Sequence, residues 1–386
     1  MICFYPKLPA AGMKRYRYPF LDLQKINSTY ASELKEAANR VIDSGRYIGG
    51  EEIELLSERL KGITGRKHCI PVSNGLDGLR LALRAFIVAG RIKKGSEVIV
   101  PVNSFIASAL AIVDAGLRPI FVEPDEMTLL LDSRKAEDLL SERTGALMSV
   151  DLYGRVWADS DLINRVSELG IVLIEDAAQA LGATTDDGIP AGSVGECGIF
   201  SFYPTKNVGA LGDGGAVVTS DDEVADIIGS MANYGKKPYD LNYRLRGYNC
   251  RMDPLQAAML CVKLDGMNFE NKTRRRNAAL YRETIRSEYI ILPPDDPGMI
   301  YHQFEIRVPF YRDQFIEYLE SNRVETAIHY PTPLDREPCM HEFVIGQSKL
   351  AMRLADELVS LPISSATSTY DIKEIAEIIN TFSPTV

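Results

Sequence analysis

A lysine in a glycine-rich turn is the residue of this sequence best suited to covalent chemistry. Lys206 lies in residues 201–207, SFYPTKN, and glycines follow at positions 209, 212, 214 and 215. Glycines let backbone segments approach closely, and burial beside an apolar strand would strip water from the lysine. A desolvated lysine amine holds its proton less tightly and becomes a nucleophile. The alternative is a surface lysine in a glycine-rich turn; a Walker loop is excluded because the sequence has no GK[ST].

An aspartate and a glutamine, Asp176 and Gln179, follow a second run of apolar residues. Residues 173–179 read LIEDAAQ, with Asp176 directly after the apolar part and Gln179 one helical turn later. In open α/β sheets, ligand groups usually lie at this end of a strand. An aspartate there can pair with a cationic ring nitrogen, and Gln179 would face the same site. The alternative is that Asp176 only caps a following helix.

Two further stretches have the residues to bind a phosphate and a flat ring. Residues 72–76, VSNGL, precede a helical pattern, so Asn74 and Gly75 would lie at a helix N-terminus, where amides and the helix dipole attract a phosphate. Phe105 follows another apolar run and could stack on a planar group. Each signal is weak alone, because many helices begin in this way and bind nothing, and such a phenylalanine is more often part of the core.

Together, the four stretches match the requirements of pyridoxal phosphate. Its aldehyde needs an amine, its pyridinium nitrogen an anion, its phosphate amide donors and its ring a flat neighbour. Those groups are supplied, in that order, by Lys206, Asp176, residues 72–76 and Phe105. A dinucleotide-binding dehydrogenase would instead need GxGxxG after its first strand, and the sequence has none.

Alternating apolar runs and helical patterns must position these residues. Strands buried on both faces are predicted at 98–102, 119–123, 146–152, 171–176, 198–202 and 216–219. Helical patterns lie between them, at 75–89, 104–114 and 160–169. This alternation predicts an α/β fold around a mostly parallel sheet.

The texture of the sequence changes after about residue 260. A strand-like run at 302–308 and a helical pattern at 312–322 predict a smaller α+β domain. We therefore expect a large cofactor-binding domain over residues 20–260, a small domain over 261–386 and an extension over 1–19. Regular patterning begins only at residue 20, which favours Met13 over Met1 as the natural start. The basic residues 274–276 are interpreted as a solvated helix face, with a clamp for the phosphates of a nucleotide as the alternative.

Composition restricts the partners of this 386-residue chain. Its formal net charge of −10 argues against nucleic acid or an anionic membrane surface as the main partner. The six cysteines show no CxxC spacing and there are only four histidines, so neither a disulfide framework nor a metal site is expected. Reduced thiols favour the cytoplasm. The sequence contains no run of 18 apolar residues, so no membrane span is predicted.

These motifs make the chain resemble the DegT/DnrJ/EryC1/StrS family of sugar aminotransferases, which are fold-type I pyridoxal-phosphate enzymes. Beyond the stretches above, the resemblance includes residues 20–23 (FLDL), 47–50 (YIGG), 247–252 (GYNCRM), 329–331 (HYP) and 361–362 (LP). It covers nearly the whole chain from about residue 19. It implies a large domain with a mostly parallel seven-stranded sheet, plus a smaller α+β C-terminal domain.

The resemblance also implies a role for each matching residue. Lys206 would form the Schiff base with the cofactor, Asp176 would pair with the pyridinium nitrogen, and Gln179 would donate to the ring hydroxyl. Phe105 would stack on the cofactor ring, and His329 and Tyr330 would contact the substrate. The phosphate of the cofactor would be bound by Asn74, Gly75, Ser201 and Asn249. Because Asn249 would come from the other subunit, a homodimer with shared active sites is implied.

The implied activity is transfer of an amino group from L-glutamate to a keto carbon of a nucleotide-linked keto-6-deoxyhexose. Residues 19–27, 73–85 and 103–108 resemble the branch that aminates C-3 of dTDP-linked sugars, and amination at C-4 is the alternative. Relatives often have histidine where this chain has Asp151 and Asp335, both on the expected sugar-nucleotide side.

Two other functions remain as rivals. One is a dehydratase of the same family, which would have histidine in place of Lys206. The other is a non-catalytic regulator that kept the fold. Intact Lys206, Asp176 and Gln179 argue against both.

Overall fold

The computed structural model describes residues 16–237, 240–344 and 346–384, so the expectation about Met13 lies outside the described residues. The helices run over α1 (Leu23–Ser28), α2 (Ala31–Ser44), α3 (Glu51–Thr64), α4 (Gly75–Val88), α5 (Ile106–Asp114), α6 (Ser133–Asp138), α7 (Ser160–Glu168), α8 (Asp222–Ala232), α9 (Pro254–Thr284), α10 (Arg312–Ser321), α11 (Lys349–Glu357) and α12 (Thr369–Asn380). The strands run over β1 (His68–Val72), β2 (Glu97–Pro101), β3 (Arg118–Val122), β4 (Thr144–Val150), β5 (Val172–Asp176), β6 (Cys197–Ser201), β7 (Gly215–Thr219), β8 (Phe304–Arg307) and β9 (Leu358–Leu361).

Seven strands form the central sheet in the order β1-β7-β6-β5-β4-β2-β3. Strand β7 is antiparallel to both of its neighbours, and the pairs among β6, β5, β4, β2 and β3 are parallel. The predicted α/β fold with a mostly parallel seven-stranded sheet is therefore confirmed. The carboxyl ends of β1, β2, β4, β5 and β6 lie along one edge, where an open α/β sheet places its ligand.

The first strand is the member of the central sheet that the apolar runs do not reveal. β1 reads HCIPV and lies at the edge of the sheet, hydrogen-bonded to β7 alone within it. An edge strand tolerates a proline and a polar residue, because one side of its backbone needs no partner in the sheet. Its sequence therefore lacks the continuous apolar character of the central strands.

Helix α4 shows how the local sequence sets the position of the site. Asn74 caps the helix and accepts a hydrogen bond from the Asp77 amide over 2.8 Å. Leu79 and Phe86 bury one face of the helix. A Cβ on Gly78 would lie only 3.0 Å from Ile199, so glycine lets the helix pack tightly on β6. Cap and packing together hold the helix N-terminus at the edge where the strands end.

The C-terminal part has its own two-stranded antiparallel sheet of β8 and β9, joined by α10, α11 and α12. The long helix α9 runs through the boundary expected between residues 260 and 261, and the division into domains stays a prediction. No helix of residues 16–237, 240–344 and 346–384 combines the length and the apolar character that a membrane span requires.

One expectation about α9 is wrong. Arg274 is not on a solvated face: it is 3% exposed, and its guanidinium donates to the backbone carbonyls of Tyr301, His302 and Ile363 over 2.8–3.3 Å. Burial lowers its pKa to about 10. Arg274 thus joins α9 to the start and the end of the small sheet.

Candidate active site

Lys206 lies in the tight turn that follows β6. Its amide donates to the Tyr203 carbonyl over 2.8 Å, and a Cβ on Gly209 would collide with the Pro204 carbonyl. Only glycine therefore fits after this turn. Burial lowers the pKa of Lys206 to about 8, and the charge of Asp176 opposes the change. A fraction of the amine is thus neutral and nucleophilic near pH 7.

Asp176 ends β5, the strand beside β6, and is 5% exposed. The Ser108 hydroxyl donates to Oδ2 over 2.8 Å and the Ala178 amide donates to Oδ1 over 3.2 Å. Burial raises the pKa of Asp176, while the two hydrogen bonds and the Lys206 charge limit the rise. Turns follow Asp176, so the alternative of a helix cap is wrong. A buried carboxylate here is stabilised by a cation such as a protonated ring nitrogen.

Asn74, Gly75 and Ser201 come together where β1 and β6 end and α4 begins. A Cβ on Gly75 would lie 2.9 Å from Ser201 Cβ, so the two residues face each other at a distance that only glycine allows comfortably. The amides of Gly75 and Leu76 come first in the helix and have no acceptor within it. With the positive end of the helix dipole, they fit a phosphate group.

Phe105 and Gln179 both contact Tyr330. The rings of Phe105 and Tyr330 have centroids 5.4 Å apart, and Phe105 is 40% exposed. The Gln179 amide group donates to the Tyr330 hydroxyl over 3.1 Å and accepts from the Tyr153 amide over 2.6 Å. Gln179 therefore links the loop after β4 to the segment after α10.

Two buried histidines adjoin the lysine. Nδ1 of His329 lies 2.7 Å from Ser360 Oγ, and burial with the charge of Lys206 lowers the pKa of His329 to about 3. Nδ1 of His302 lies 2.8 Å from Asn207 Oδ1, and burial lowers its pKa well below the ordinary value. Both rings are therefore neutral at pH 7 and can donate or accept a hydrogen bond without adding charge.

Asn249 lies elsewhere on the chain surface. It is exposed, and its backbone pairs with Asn233. The next residue, Cys250, accepts a hydrogen bond from the Ser73 amide over 3.0 Å, so the segment runs close to the start of α4. The single chain thus groups the other predicted site residues at one sheet edge and leaves Asn249 facing outward.

Sequence reasoning missed two residues that build the site. Ser108 lies three positions after Phe105 and hence near the same face of α5, a spacing that could have drawn attention to it. Tyr153 follows the end of β4 and hydrogen-bonds through its hydroxyl to the His329 carbonyl over 2.7 Å, a contact between residues 176 positions apart. Among the described residues, no group of three or more His, Cys, Asp or Glu side chains could hold a metal ion.

The residues present fit pyridoxal phosphate. A nucleophilic amine, a buried carboxylate, a glycine-lined helix N-terminus and a partly exposed aromatic ring lie at neighbouring strand ends. The raised pKa of Asp176 carries particular weight, because the carboxylate lacks a full countercharge that the ring nitrogen would supply.

Comparison with known proteins agrees with this geometry. Residues 28–380 match the profile of the DegT/DnrJ/EryC1/StrS aminotransferase family. The chain is 41% identical to dTDP-3-amino-3,6-dideoxy-alpha-D-galactopyranose transaminase of Aneurinibacillus thermoaerophilus, covering 94% of this chain and 99% of that protein. It is 39% identical to the erythromycin biosynthesis sensory transduction protein EryC1 of Saccharopolyspora erythraea, covering 89% of this chain and 94% of that protein.

The fold has a close counterpart among solved structures. DesV of S. venezuelae, determined in complex with a ketimine intermediate, superposes with a TM-score of 0.89 at 35% identity, covering 95% of this chain and 98% of that one.

Proposed function

This chain belongs to the DegT/DnrJ/EryC1/StrS aminotransferase family, and from that premise we propose that it transfers an amino group from L-glutamate to C-3 of a dTDP-linked 3-keto-6-deoxyhexose, with pyridoxal phosphate as cofactor. The observation that carries the proposal is the pair formed by Lys206 and Asp176 at adjoining strand ends. Burial makes Lys206 a weaker base, and Asp176 is poised to balance a positive charge.

The residues around the pair would hold the cofactor. The amides at the start of α4 and the Ser201 hydroxyl would bind its phosphate, Phe105 would cover one face of its ring, and Asp176 would keep its ring nitrogen protonated. When bound, pyridoxal phosphate supplies an electron sink for the charge that develops at the substrate carbon.

Lys206 has two tasks in this proposal. Its amine would attach to the cofactor, and once an amino donor has taken that place, the free amine would move a proton at the substrate carbon. With a pKa of about 8, roughly one amine in ten is neutral at pH 7, so the residue can both take up and release a proton.

The substrate assignment draws on relatives and on sequence. The relative from A. thermoaerophilus is a transaminase of a dTDP-linked 3-amino sugar by name, and it matches 94% of this chain. Residues 19–27, 73–85 and 103–108 resemble the branch that acts at C-3. Glutamate as donor, and contact of His329 and Tyr330 with the sugar, follow from the family resemblance.

We propose that the active enzyme is a homodimer in which Asn249 reaches the cofactor phosphate of the partner. Asn249 is exposed in the single chain, although its segment passes close to the start of α4. Tyr47 and Ile48, in the YIGG stretch, are 58% and 60% exposed, and two adjacent apolar side chains exposed in this way suit contact with another chain.

A cytoplasmic reaction is proposed as well. The described cysteines, all in the free state, are Cys69, Cys197, Cys250, Cys261 and Cys339. Free thiols suit a reducing compartment.

A regulatory role is the second candidate, because one relative that is 39% identical bears the name of a sensory transduction protein. The half-buried Lys206, whose pKa is lowered beside Asp176, argues for catalysis instead. A protein without chemistry would gain nothing from desolvating Lys206 beside Asp176.

The decisive experiment supplies purified protein with pyridoxal phosphate, glutamate and either the 3-keto or the 4-keto dTDP-sugar. We expect 2-oxoglutarate and a 3-amino sugar, with the position of the new C–N bond read by NMR. Turnover on the 4-keto sugar alone would replace C-3 by C-4. Failure to develop a visible cofactor band would instead favour the regulator.

A further inference from the structure

His329, Ser360 and Glu305 form a row of buried polar side chains, and the proposed reaction assigns no role to Ser360 or Glu305. Nδ1 of His329 is 2.7 Å from Ser360 Oγ, and Ser360 is hydrogen-bonded in turn to Oε1 of Glu305. Glu305 and Ser360 are directly opposite each other on β8 and β9. All three side chains are at most 5% exposed. The row connects the small sheet to the active-site edge.

Among the described residues, the basic side chain paired with Glu305 is that of His329, whose Nδ1 lies 3.7 Å from Oε1. Burial and the charge of Lys206 keep His329 neutral, so this pair supplies no cation to balance a negative charge on Glu305. Arg307, two residues along β8, is paired with Glu126 over 2.9 Å and with Glu357 over 2.8 Å. Within the described part of the chain, Oε2 of Glu305 is buried without a hydrogen-bond partner. An ionised carboxylate in such surroundings is strongly unfavourable, so the neutral acid is the stable form. In agreement, burial raises the pKa of Glu305 to about 8.

The groups that face Glu305 add no charge at neutral pH. Tyr153 and Tyr330 interact with its carboxyl, and burial raises the pKa of both phenols. His329 is neutral because burial and Lys206 lower its pKa to about 3. The protonation of Glu305 is therefore the variable element of the row between pH 7 and 9.

The single hydroxyl hydrogen of Ser360 makes the two ends of the row depend on each other. When Glu305 is protonated and donates to Ser360 Oγ, the hydroxyl donates to Nδ1 of His329, whose hydrogen is then on Nε2. When Glu305 is ionised, the hydroxyl donates to Oε1, and Nδ1 of His329 must carry the hydrogen. The proton on Glu305 thus determines which nitrogen of His329 is the donor.

We propose that protonated Glu305, acting through Ser360, fixes His329 in the Nε2–H tautomer and so makes it a hydrogen-bond donor to an oxygen of the sugar substrate. Glu305 and Ser360 are positioning residues in this scheme. The inference rests on the proposed function in that His329 contacts the substrate. Its place fits, because the charge of Lys206 acts on His329, and the neighbouring Tyr330 contacts Phe105 and Gln179.

The tautomer can be read directly by long-range ¹⁵N–¹H correlation on protein labelled in histidine. The chain has only four histidines, and a His329→Asn sample assigns the signal. We expect Nε2–H at pH 7 in the wild-type protein, changing to Nδ1–H as the pH rises through about 8. Glu305→Gln cannot ionise and should keep Nε2–H at pH 9. Ser360→Ala should give a mixture of tautomers.

Kinetics supply the second readout. Ser360→Ala should raise KM for the sugar nucleotide about tenfold, the effect of one weakened hydrogen bond, with no change in KM for glutamate. The matched control is Ser364→Ala, which removes another buried hydroxyl four residues away that pairs with Thr367 over 3.0 Å. It should leave both the tautomer and KM unchanged.

Two results would overturn the inference: an Nδ1–H tautomer in the wild-type protein at pH 7, or Glu305→Gln behaving like the wild type at pH 9. The second comparison holds even if Ser360→Ala fails to fold. The tautomer measurement needs no turnover. A chain that bound no cofactor and transferred no amine would refute the proposed function. The NMR measurement would still show whether Glu305 determines the tautomer of His329.

Discussion

The Ser108 hydroxyl donates a 2.8 Å hydrogen bond to Oδ2 of Asp176, which joins the first turns of α5 to the end of β5. The Ala178 amide holds the other carboxylate oxygen. Both oxygens are thus oriented by groups of the protein before any ligand binds. Such preorganisation matters because a carboxylate that must rotate or shed water on binding stabilises a ring cation less well.

Removing the hydroxyl should weaken this support. We expect Ser108→Ala to lower kcat/KM of the glutamate half-reaction about tenfold, since a hydrogen bond to a charged group contributes about 1.5–3 kcal/mol. Asp176→Asn should lower it at least about a hundredfold. Rapid-mixing absorbance measures both. Ser104→Ala is the control, because this buried serine donates to the Pro101 carbonyl instead. Equal losses in the two serine variants would contradict the assigned role of Ser108.

The lowered pKa of Lys206 predicts how the apoprotein takes up its cofactor. Only the neutral amine attacks the aldehyde, so the rate of pyridoxal phosphate incorporation should rise about tenfold per pH unit below 8 and level off above it. An ordinary lysine would keep rising to about pH 10. Lys206→Arg and Lys206→Ala should show no incorporation, judged by borohydride reduction and peptide mass. If the rate of incorporation keeps rising up to pH 10 without a plateau, burial does not lower the pKa of the Lys206 amine.

Local sequence was sufficient where the chemistry is local. Asp176 ends the apolar strand β5, Lys206 lies in the turn after the apolar strand β6, and both strands were predicted within two residues of their observed ends. Asn74 and Gly75 were recognisable from the helix that they open.

Contacts between distant segments were not predictable in this way. Ser108 meets Asp176 across 68 positions, and Tyr153 meets His329 across 176. The charge of Arg274 suggested solvent, yet three carbonyls that arrive from other segments satisfy it in the interior. Periodicity carries no information about such partners, because it reports only which face of an element is apolar.

The close approach of Gly75 and Ser201 makes a methyl group a test of the phosphate site. In Gly75→Ala the new Cβ would lie 2.9 Å from Ser201 Cβ, so one of the two elements must shift. We expect the Kd for pyridoxal phosphate to rise at least about tenfold, equivalent to about 1.4 kcal/mol. Gly62→Ala is the matched control in α3, where a Cβ meets nothing within 4 Å. That variant should keep cofactor affinity and gain about 0.5–1 kcal/mol of stability.

The proposed sharing of sites predicts complementation between two defective chains. Lys206→Ala and Asn249→Ala homodimers should each be impaired. When the two are unfolded together and refolded, a mixed dimer contains one site with both residues intact, so the mixture should regain about a quarter of the wild-type sites by random pairing. Light scattering checks the dimer. A mixture no more active than the average of its parents would mean that Asn249 acts within its own chain or not at all.

Two neighbouring carboxyl groups, those of Glu175 and Asp151, lie close to Asp176 of the site. Both oxygens of Glu175 accept backbone amides, from Gly192 over 2.6 Å and from Val194 over 2.8 Å, so its charge is well solvated by the protein. Asp151 is fully buried: Oδ1 accepts from the Trp157 amide over 2.9 Å, and no group of the described residues donates a hydrogen bond to Oδ2. Burial and the charge of Glu175 raise the pKa of Asp151 well above its ordinary value. Asp151 therefore retains its proton and can donate it to Glu175.

This arrangement has a predictable effect on stability. Above about pH 4 the unfolded chain releases the Asp151 proton while the folded chain retains it, so the free energy of unfolding falls with rising pH, by at most about 1.4 kcal/mol per unit. Asp151→Asn has a permanent donor and nothing to ionise, so it should be more stable than the wild type by about 1 kcal/mol or more at pH 8, and the difference should vanish towards pH 4. Urea unfolding measures both values. Asp132→Asn is the control of opposite sign: a hydrogen bond with Lys135 helps to lower the Asp132 pKa, so its loss should destabilise the protein at pH 7 and matter less in acid. A difference between Asp151→Asn and the wild type that does not change with pH would mean that Asp151 is ionised in the folded chain.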